Sequence, residues 1–229
     1  MEPLRPIRGP ALSLSKGFTL VELMVVLAII VVISVVVLAS QSSFNKTIIL
    51  TNTAYDVALT LRSAETYGLS SRVTGASANA GYGINFQKAT PGSFILFVDF
   101  YPAPSTLSVC HPTSDASSPS ALPGDCVYQP DQGERVSEYV LGNGITIADF
   151  CIFALDRWWC AYAQGGGLSS LDIVFARPNP DPFMSVNGLY FSAIPISAAC
   201  LALTSPQGGA RFISVAASGQ IVANAASCP

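Results

Sequence analysis

Over residues 18–39 the chain is almost uninterruptedly apolar, and of the fourteen residues after Met24 only Ser34 is polar. No alternation marks the run and no proline breaks it, the pattern of a helix surrounded on all sides by a non-aqueous medium. As an α-helix its 22 residues rise ~33 Å, the thickness of a bilayer core. Past Ala39 the chain turns polar, yet the helical period persists. Leu50, Ala54, Val57, Leu61, Ala64 and Gly68 recur at spacings of four and three, while Asp56, Arg62 and Glu65 fall off the stripe. The spacing predicts one helix from about Phe18 to about Ser71, transmembrane in its first half and amphipathic in its second. Its second half packs on a globular head, and Gly68 and Gly75 supply breakers near its end.

Beyond Gly75 the period changes to short β-type runs separated by Gly, Pro, Asn and Ser. Candidate strands are 82–87, 94–100, 145–152, 171–176, 188–193, 199–204, 211–216 and 220–224. The clearest hairpin joins the last two through a Ser218-Gly219 turn. The stretch 101–135 is rich in proline, glycine and serine, has few apolar runs, and reads as a long surface loop. The predicted class is α+β, a long N-terminal helix packed on an antiparallel β-sheet. The chain divides into a leader 1–17, a transmembrane part 18–39, an amphipathic part 40–75 and a β-rich head 76–229.

One carboxylate, Glu22, interrupts the apolar run near its start. An ionisable group within a membrane span costs at least ~2.5 kcal/mol near the centre and usually has a function. Among Leu20, Val21, Leu23 and Met24 a lone carboxylate takes a proton or finds a cation. Arg5, Arg8 and Lys16 flank the run only on its N-terminal side, so residues 1–17 stay cytoplasmic and the rest crosses outward. An ordinary secretory signal would be cut after the apolar stretch, as Ala39-Ser40-Gln41 would allow. Gly17 before Phe18, with Glu22 beyond, favours a cut ahead of the stretch, which keeps the helix in the mature protein.

The segment Lys16-Gly17-Phe18-Thr19-Leu20-Val21-Glu22 resembles the processing site of type IV pilins and type II secretion pseudopilins. The resemblance implies cleavage after Gly17, N-methylation of Phe18, and pairing of Glu22 with the Phe18 amine of a neighbouring subunit during assembly. It implies as partners other pilin or pseudopilin subunits, a prepilin peptidase/methyltransferase and an inner-membrane assembly platform, with energy from a separate cytoplasmic ATPase. A single-pass inner-membrane protein with an extracytoplasmic head follows, incorporated into a filament when assembled. Tyr82-Gly83-Ile84-Asn85-Phe86, the run from Phe94 to Asp99, and the Ile213…Ser218-Gly219…Val222 hairpin look like the head of GspH/FimT-type minor pseudopilins. The implied function is a structural subunit of a type II secretion pseudopilus or type IV pilus. The alternative is a minor type IV pilin for adhesion, motility or DNA uptake. Six cysteines and the insert 101–135 depart from typical members.

Composition narrows the rest. Apolar residues make up 50% of the 229 and charged residues only 11%. Removal of 1–17 takes three of 11 basic and one of 14 acidic residues, leaving a charge near −5 with His111 neutral. Such a balance argues against nucleic-acid binding, which needs clustered Lys and Arg, and the tail 220–229 has neither. Arg211 stands before it, and Arg135, Arg157 and Arg177 are the cations available to converge elsewhere.

All six cysteines lie at or beyond residue 110, downstream of the anchor, which fits disulfides in an oxidising compartment. Neighbour pairing is expected, Cys110 with Cys126, Cys151 with Cys160 and Cys200 with Cys228, although spacing leaves the connectivity open. The one histidine, His111, sits between Cys110 and Pro112, and no Cys-x-x-Cys occurs, so no zinc site is expected. No Gly-x-Ser-x-Gly elbow, phosphate loop or dinucleotide fingerprint is present, so neither catalysis nor a cofactor is expected. Asp172 and the turn 178–182 offer thin support for calcium, and a rigid exposed loop is the simpler reading. Trp158 and Trp159, adjacent on a strand, should face opposite ways, one into the core and one outward.

Overall fold

The computed structural model describes residues 17–70, 80–101, 124–163, 165–191, 193–225 and 227–228, without the side chains of 39–46. Its one α-helix among these residues, α1, spans Leu20–Leu69. The chain divides into two compact units, 1–44 and 45–229. In the first, Leu20–Leu38 is long and apolar enough to cross a membrane, with mean hydropathy 3.2. Its side chains bury nothing against the protein, Val21, Leu23 and Val32 each being more than half exposed. A surface so uniformly apolar needs a non-aqueous neighbour.

Among the described residues the second unit has ten strands, all paired antiparallel. They are β1 (Gly81–Gln87), β2 (Ser93–Asp99), β3 (Arg135–Val140), β4 (Thr146–Ala154), β5 (Arg157–Cys160), β6 (Ser170–Phe175), β7 (Phe183–Val186), β8 (Ala198–Thr204), β9 (Ala210–Ala216) and β10 (Ile221–Ala225). One sheet has the order β3-β2-β1-β6-β7 and the other β10-β9-β8-β4-β5. Alternation sends Tyr82, Ile84 and Phe86 of β1 to one face, where they meet Leu171, Ile173 and Phe175 of β6. Leu201, Leu203, Ile213 and Val215 of the other sheet complete the same core. The predicted stripe Leu50, Ala54, Val57, Leu61 and Ala64 is wholly buried in it. Helix and sheets are also tied by polar contacts: Arg62 Nη2 donates to Ile221 O at 2.8 Å and Arg211 Nε to Thr51 Oγ1 at 3.0 Å.

Three departures from the sequence reading have physical causes. The expected surface loop 101–135 is not one at its C-terminal end. Residues 124–134 form a strap across the outer face of the first sheet, with Cys126, Val127, Tyr128 and Glu134 all buried. Tyr128 packs on Phe97 at 5.3 Å in a second small core with Cys126 and Val174. Covering both faces of β1 and β2 explains why their residues are buried almost without alternation. Next, no strand is formed by the described residues of 188–193. Asn187 and Gly188, both at positive φ, make a tight turn, and the strand lies before it in β7. Finally, β3 and β5 have too few apolar residues or too little length to stand out, and each is an edge strand.

Candidate functional site

At the N-terminus of α1, Thr19 closes the first turn. The Glu22 N–H donates to Thr19 Oγ1 at 3.2 Å and the Leu23 N–H to Thr19 O at 3.1 Å. Thr19 is thus the N-cap and Glu22 the third helical residue, the spacing of a capping box. That Thr-x-x-Glu spacing was legible in the sequence and adds a second role for Glu22. In the first turn its carboxylate faces the positive end of the helix dipole. It makes no ion pair with any described residue and stays open to a partner. Gly17 has no packing reason to be glycine, since a Cβ there would meet nothing within 4 Å. Phe18, Leu20 and Val21 are all exposed.

A second concentration of chemistry lies beneath the strap. Asp99 ends β2 fully buried and accepts the Asp125 and Cys126 N–H groups at 3.0 and 2.8 Å. Glu134, also fully buried, accepts Phe100 and Tyr101 N–H on Oε1 and Gln129 N–H on Oε2. Asp172 of β6 accepts Asn85 Nδ2 at 2.7 Å, across the β1–β6 register. Asn85 Oδ1 and, one strand further along the same row, Ser185 Oγ are buried with no hydrogen-bond partner. Gly124, at φ +109°, permits the fit: a Cβ there would lie 2.4 Å from the Asp99 carboxylate. Burial pushes the Asp99 carboxyl well above its ordinary range, and the Glu134 charge adds to this. Burial likewise raises Glu134 and Asp172 to about 7 each, against the hydrogen bonds that favour their ionised forms. Nothing in the spacing of Asp99, Asp125, Glu134 and Asp172 announced this grouping, because it is made by the sheet and the strap together.

The remaining sequence candidates are placed as follows. Cys151 and Cys160, register partners on β4 and β5, form a disulfide, as do Cys200 and Cys228. Cys126 is also disulfide-bonded, while Cys110 and His111 lie outside the described residues. Asp149 comes close to Cys151 and Cys160, but a disulfide has no thiolate to offer a metal. Its carboxylate instead accepts Ala161, Tyr162 and Ala163 N–H groups and shapes the turn after β5. Asp172 is buried and accepts from Asn85, while Asp181 is exposed. Trp158 and Trp159 are both half-buried: Trp158 meets the Phe153 ring at 5.2 Å, and Arg157 stacks over Trp159 at 3.6 Å. Arg135 pairs with Glu138 and Arg211 donates to Thr51, so these two and Arg157, all weighed for nucleic acid, have intramolecular work.

A family model described as the prokaryotic N-terminal methylation motif matches residues 12–38. The chain carries a prepilin-type motif. It takes in Gly17, Phe18, the Thr19 cap and Glu22, and it ends at Leu38, where the apolar span ends. No curated protein matches the chain, and no solved structure does. The prepilin-type motif supports the type IV pilin and pseudopilin family, whose members are structural subunits and not enzymes. It implies processing by a peptidase and assembly with other pilins, and with the single apolar helix it fits a membrane-anchored chain.

Proposed function

We propose that this chain is a structural subunit of a type II secretion pseudopilus or a type IV pilus, cleaved after Gly17 and N-methylated on Phe18. The observation that carries the reading is the match of the methylation motif over 12–38, which takes in, near its start, a glycine that the fold itself does not require. A residue whose smallness serves neither packing nor backbone conformation is best explained by an external reader, here a prepilin peptidase. The apolar helix then forms the filament core, and the disulfide-braced head faces outward from the inner membrane. Within this reading a GspH/FimT-type minor pseudopilin supporting protein secretion is favoured over a minor pilin for adhesion, motility or DNA uptake. The engagement of Arg211 with Thr51 and of Arg135 with Glu138 weighs against a DNA receptor.

Mass spectrometry of the protein purified from its native membranes tests the processing. The expected N-terminus is Phe18 with one added methyl group; an intact leader, or a start after Ala39, would sink the proposal. The second expectation concerns Glu22, which pairs with the Phe18 amine of the neighbouring subunit. Glu22→Ala should reduce incorporation into filaments at least about tenfold, since it leaves a charged amine unpaired at a helix bundle. Normal co-assembly of that variant, measured by crosslinking to neighbouring subunits, would remove the pairing. Because Glu22 also stands in the first helical turn, Glu22→Gln separates the roles: it keeps the side-chain acceptor but not the charge.

A further inference from the structure

We propose that the cavity between the 178–182 turn, β7 and the segment 189–196 is a binding site for a quaternary ammonium group. Its volume is about 360 Å³, within the ordinary range of small-molecule sites. Three stretches of chain build its walls. Strand β7 supplies Phe183 and the buried Met184. Beyond β7 the Asn187-Gly188 turn, closed by backbone bonds between Val186 and Leu189, reverses the chain and brings Tyr190 and Phe191 to the same cavity. The 178–182 turn contributes Asp181. That turn packs closely on the turn between β9 and β10, where a Cβ on Gly219 would lie 2.6 Å from Pro180 O.

The lining selects the ligand. The Phe183 and Tyr190 rings stand 6.1 Å apart at 69°, two adjoining walls and not a stacked pair, and the half-exposed Phe191 adds a third ring. Aromatic faces attract cations. Asp181 adds a full negative charge: it is exposed and makes no ion pair or hydrogen bond with any described residue. No Lys or Arg is among the described residues that line the cavity, so no positive charge there repels an incoming cation. A primary ammonium is strongly hydrated and brings three donors to satisfy, and calcium wants six to eight oxygens. Side-chain oxygens come only from Asn179, Asp181 and Tyr190, too few for calcium. A quaternary ammonium has no N–H to satisfy. Its methyl groups pack on Met184 and Ile194 while its charge faces the rings and Asp181. An uncharged ligand of the same shape would gain from the apolar walls and nothing from the carboxylate. The site does not depend on the filament reading.

NMR of the full chain in an uncharged maltoside detergent, with isotope-labelled methionine methyl groups, tests the site. The chain has 3 methionines, of which Met184 lines the cavity and Met24, in the apolar span, is the internal reference. Choline chloride at constant ionic strength should shift the Met184 signal saturably and leave Met24 in place. Dimethylbutanol, the uncharged isostere with carbon in place of nitrogen, should need at least about tenfold more for half-saturation. Asp181→Asn and Phe191→Ala should each weaken choline about three- to fivefold. Asp181→Asn should leave the response to the isostere unchanged, which also shows that the cavity is still formed. Equal affinity for choline and the isostere would overturn the proposal and reduce the cavity to an apolar cleft. So would a Met184 signal that choline does not move, or a choline affinity that ignores Asp181→Asn. Bicelles of phosphatidylcholine, compared with phosphatidylglycerol, identify the source. A Met184 shift in phosphatidylcholine assigns the site to a lipid headgroup, and a shift with free choline alone assigns it to a soluble amine.

Discussion

Removing the Cys200–Cys228 bridge, by Cys200→Ala with Cys228→Ser, is expected to destabilise the head by ~3–4 kcal/mol. The two residues are 28 apart in sequence, so the reduced chain regains the freedom of a long loop. The bridge runs from buried β8, past β9, to the segment following edge strand β10. That edge needs it, because β10 buries only Ile221 fully among its five residues. Beyond the bridge it is held by its ladder with β9 and by the Arg62 donation to the Ile221 carbonyl. Alanine at 200 avoids adding an unpartnered hydroxyl at a buried site, which would confuse the reading with a desolvation penalty. Cys151–Cys160 makes a useful contrast. It closes a separation of only 9 between residues already paired in a hairpin, so its removal should cost about 2–3 kcal/mol, less than the longer bridge. Urea unfolding of the full chain in detergent, with and without reductant, measures both. A loss below ~1 kcal/mol for the longer bridge would show that the ladder and the Arg62 contact hold β10 without it.

What the sequence disclosed, and what it withheld, divides along the range of the interactions. The apolar run 18–39 and the stripe from Leu50 to Gly68 are signals of local periodicity, and α1 follows them closely. The β9–β10 hairpin has its own turn at Ser218-Gly219, and the ladder from Val215 to Ile221 closes on it. Long-range coverage is another matter. An alternating reading of Tyr82-Gly83-Ile84-Asn85-Phe86 turns Asn85 to solvent, yet Asn85 is buried because a segment some forty residues on lies over it. The same blindness hid Asp99, Glu134 and Asp172: each looks like a surface acid until strap and sheet meet. A local signal was also passed over, since Asn187-Gly188 marks a turn whose first strand is β7, not the run after it. For the N-terminal site the balance is reversed. Gly17, Phe18 and Glu22 form a contiguous motif, readable without any fold, and the structure added the Thr19 cap.

Gly68→Ala is expected to destabilise the head by ~2–3 kcal/mol. Alanine gains about 1 kcal/mol over glycine inside a helix, so a stabilised protein would be the outcome if propensity alone decided. Packing opposes it more strongly. A Cβ at Gly68 would lie 2.0 Å from the Phe175 carbonyl oxygen and 2.7 Å from its carbon. These are backbone atoms at the end of β6, with Phe175 itself fully buried, so no flexible side chain can swing away. The last turn of α1 has to lift from β6, straining the Tyr67–Tyr82 ring contact at 5.6 Å and the packing of Ala64. Gly17→Ala, compared with the unsubstituted chain with both left unprocessed, is the matching control: with nothing within 4 Å of its Cβ, it should leave the unfolding free energy within ~0.5 kcal/mol. The two glycines then separate cleanly, one held by contact with a strand and the other by whatever reads the N-terminus. A neutral Gly68→Ala would mean that α1 and β6 do not approach so closely, and a destabilised Gly17→Ala would give that glycine a folding role after all.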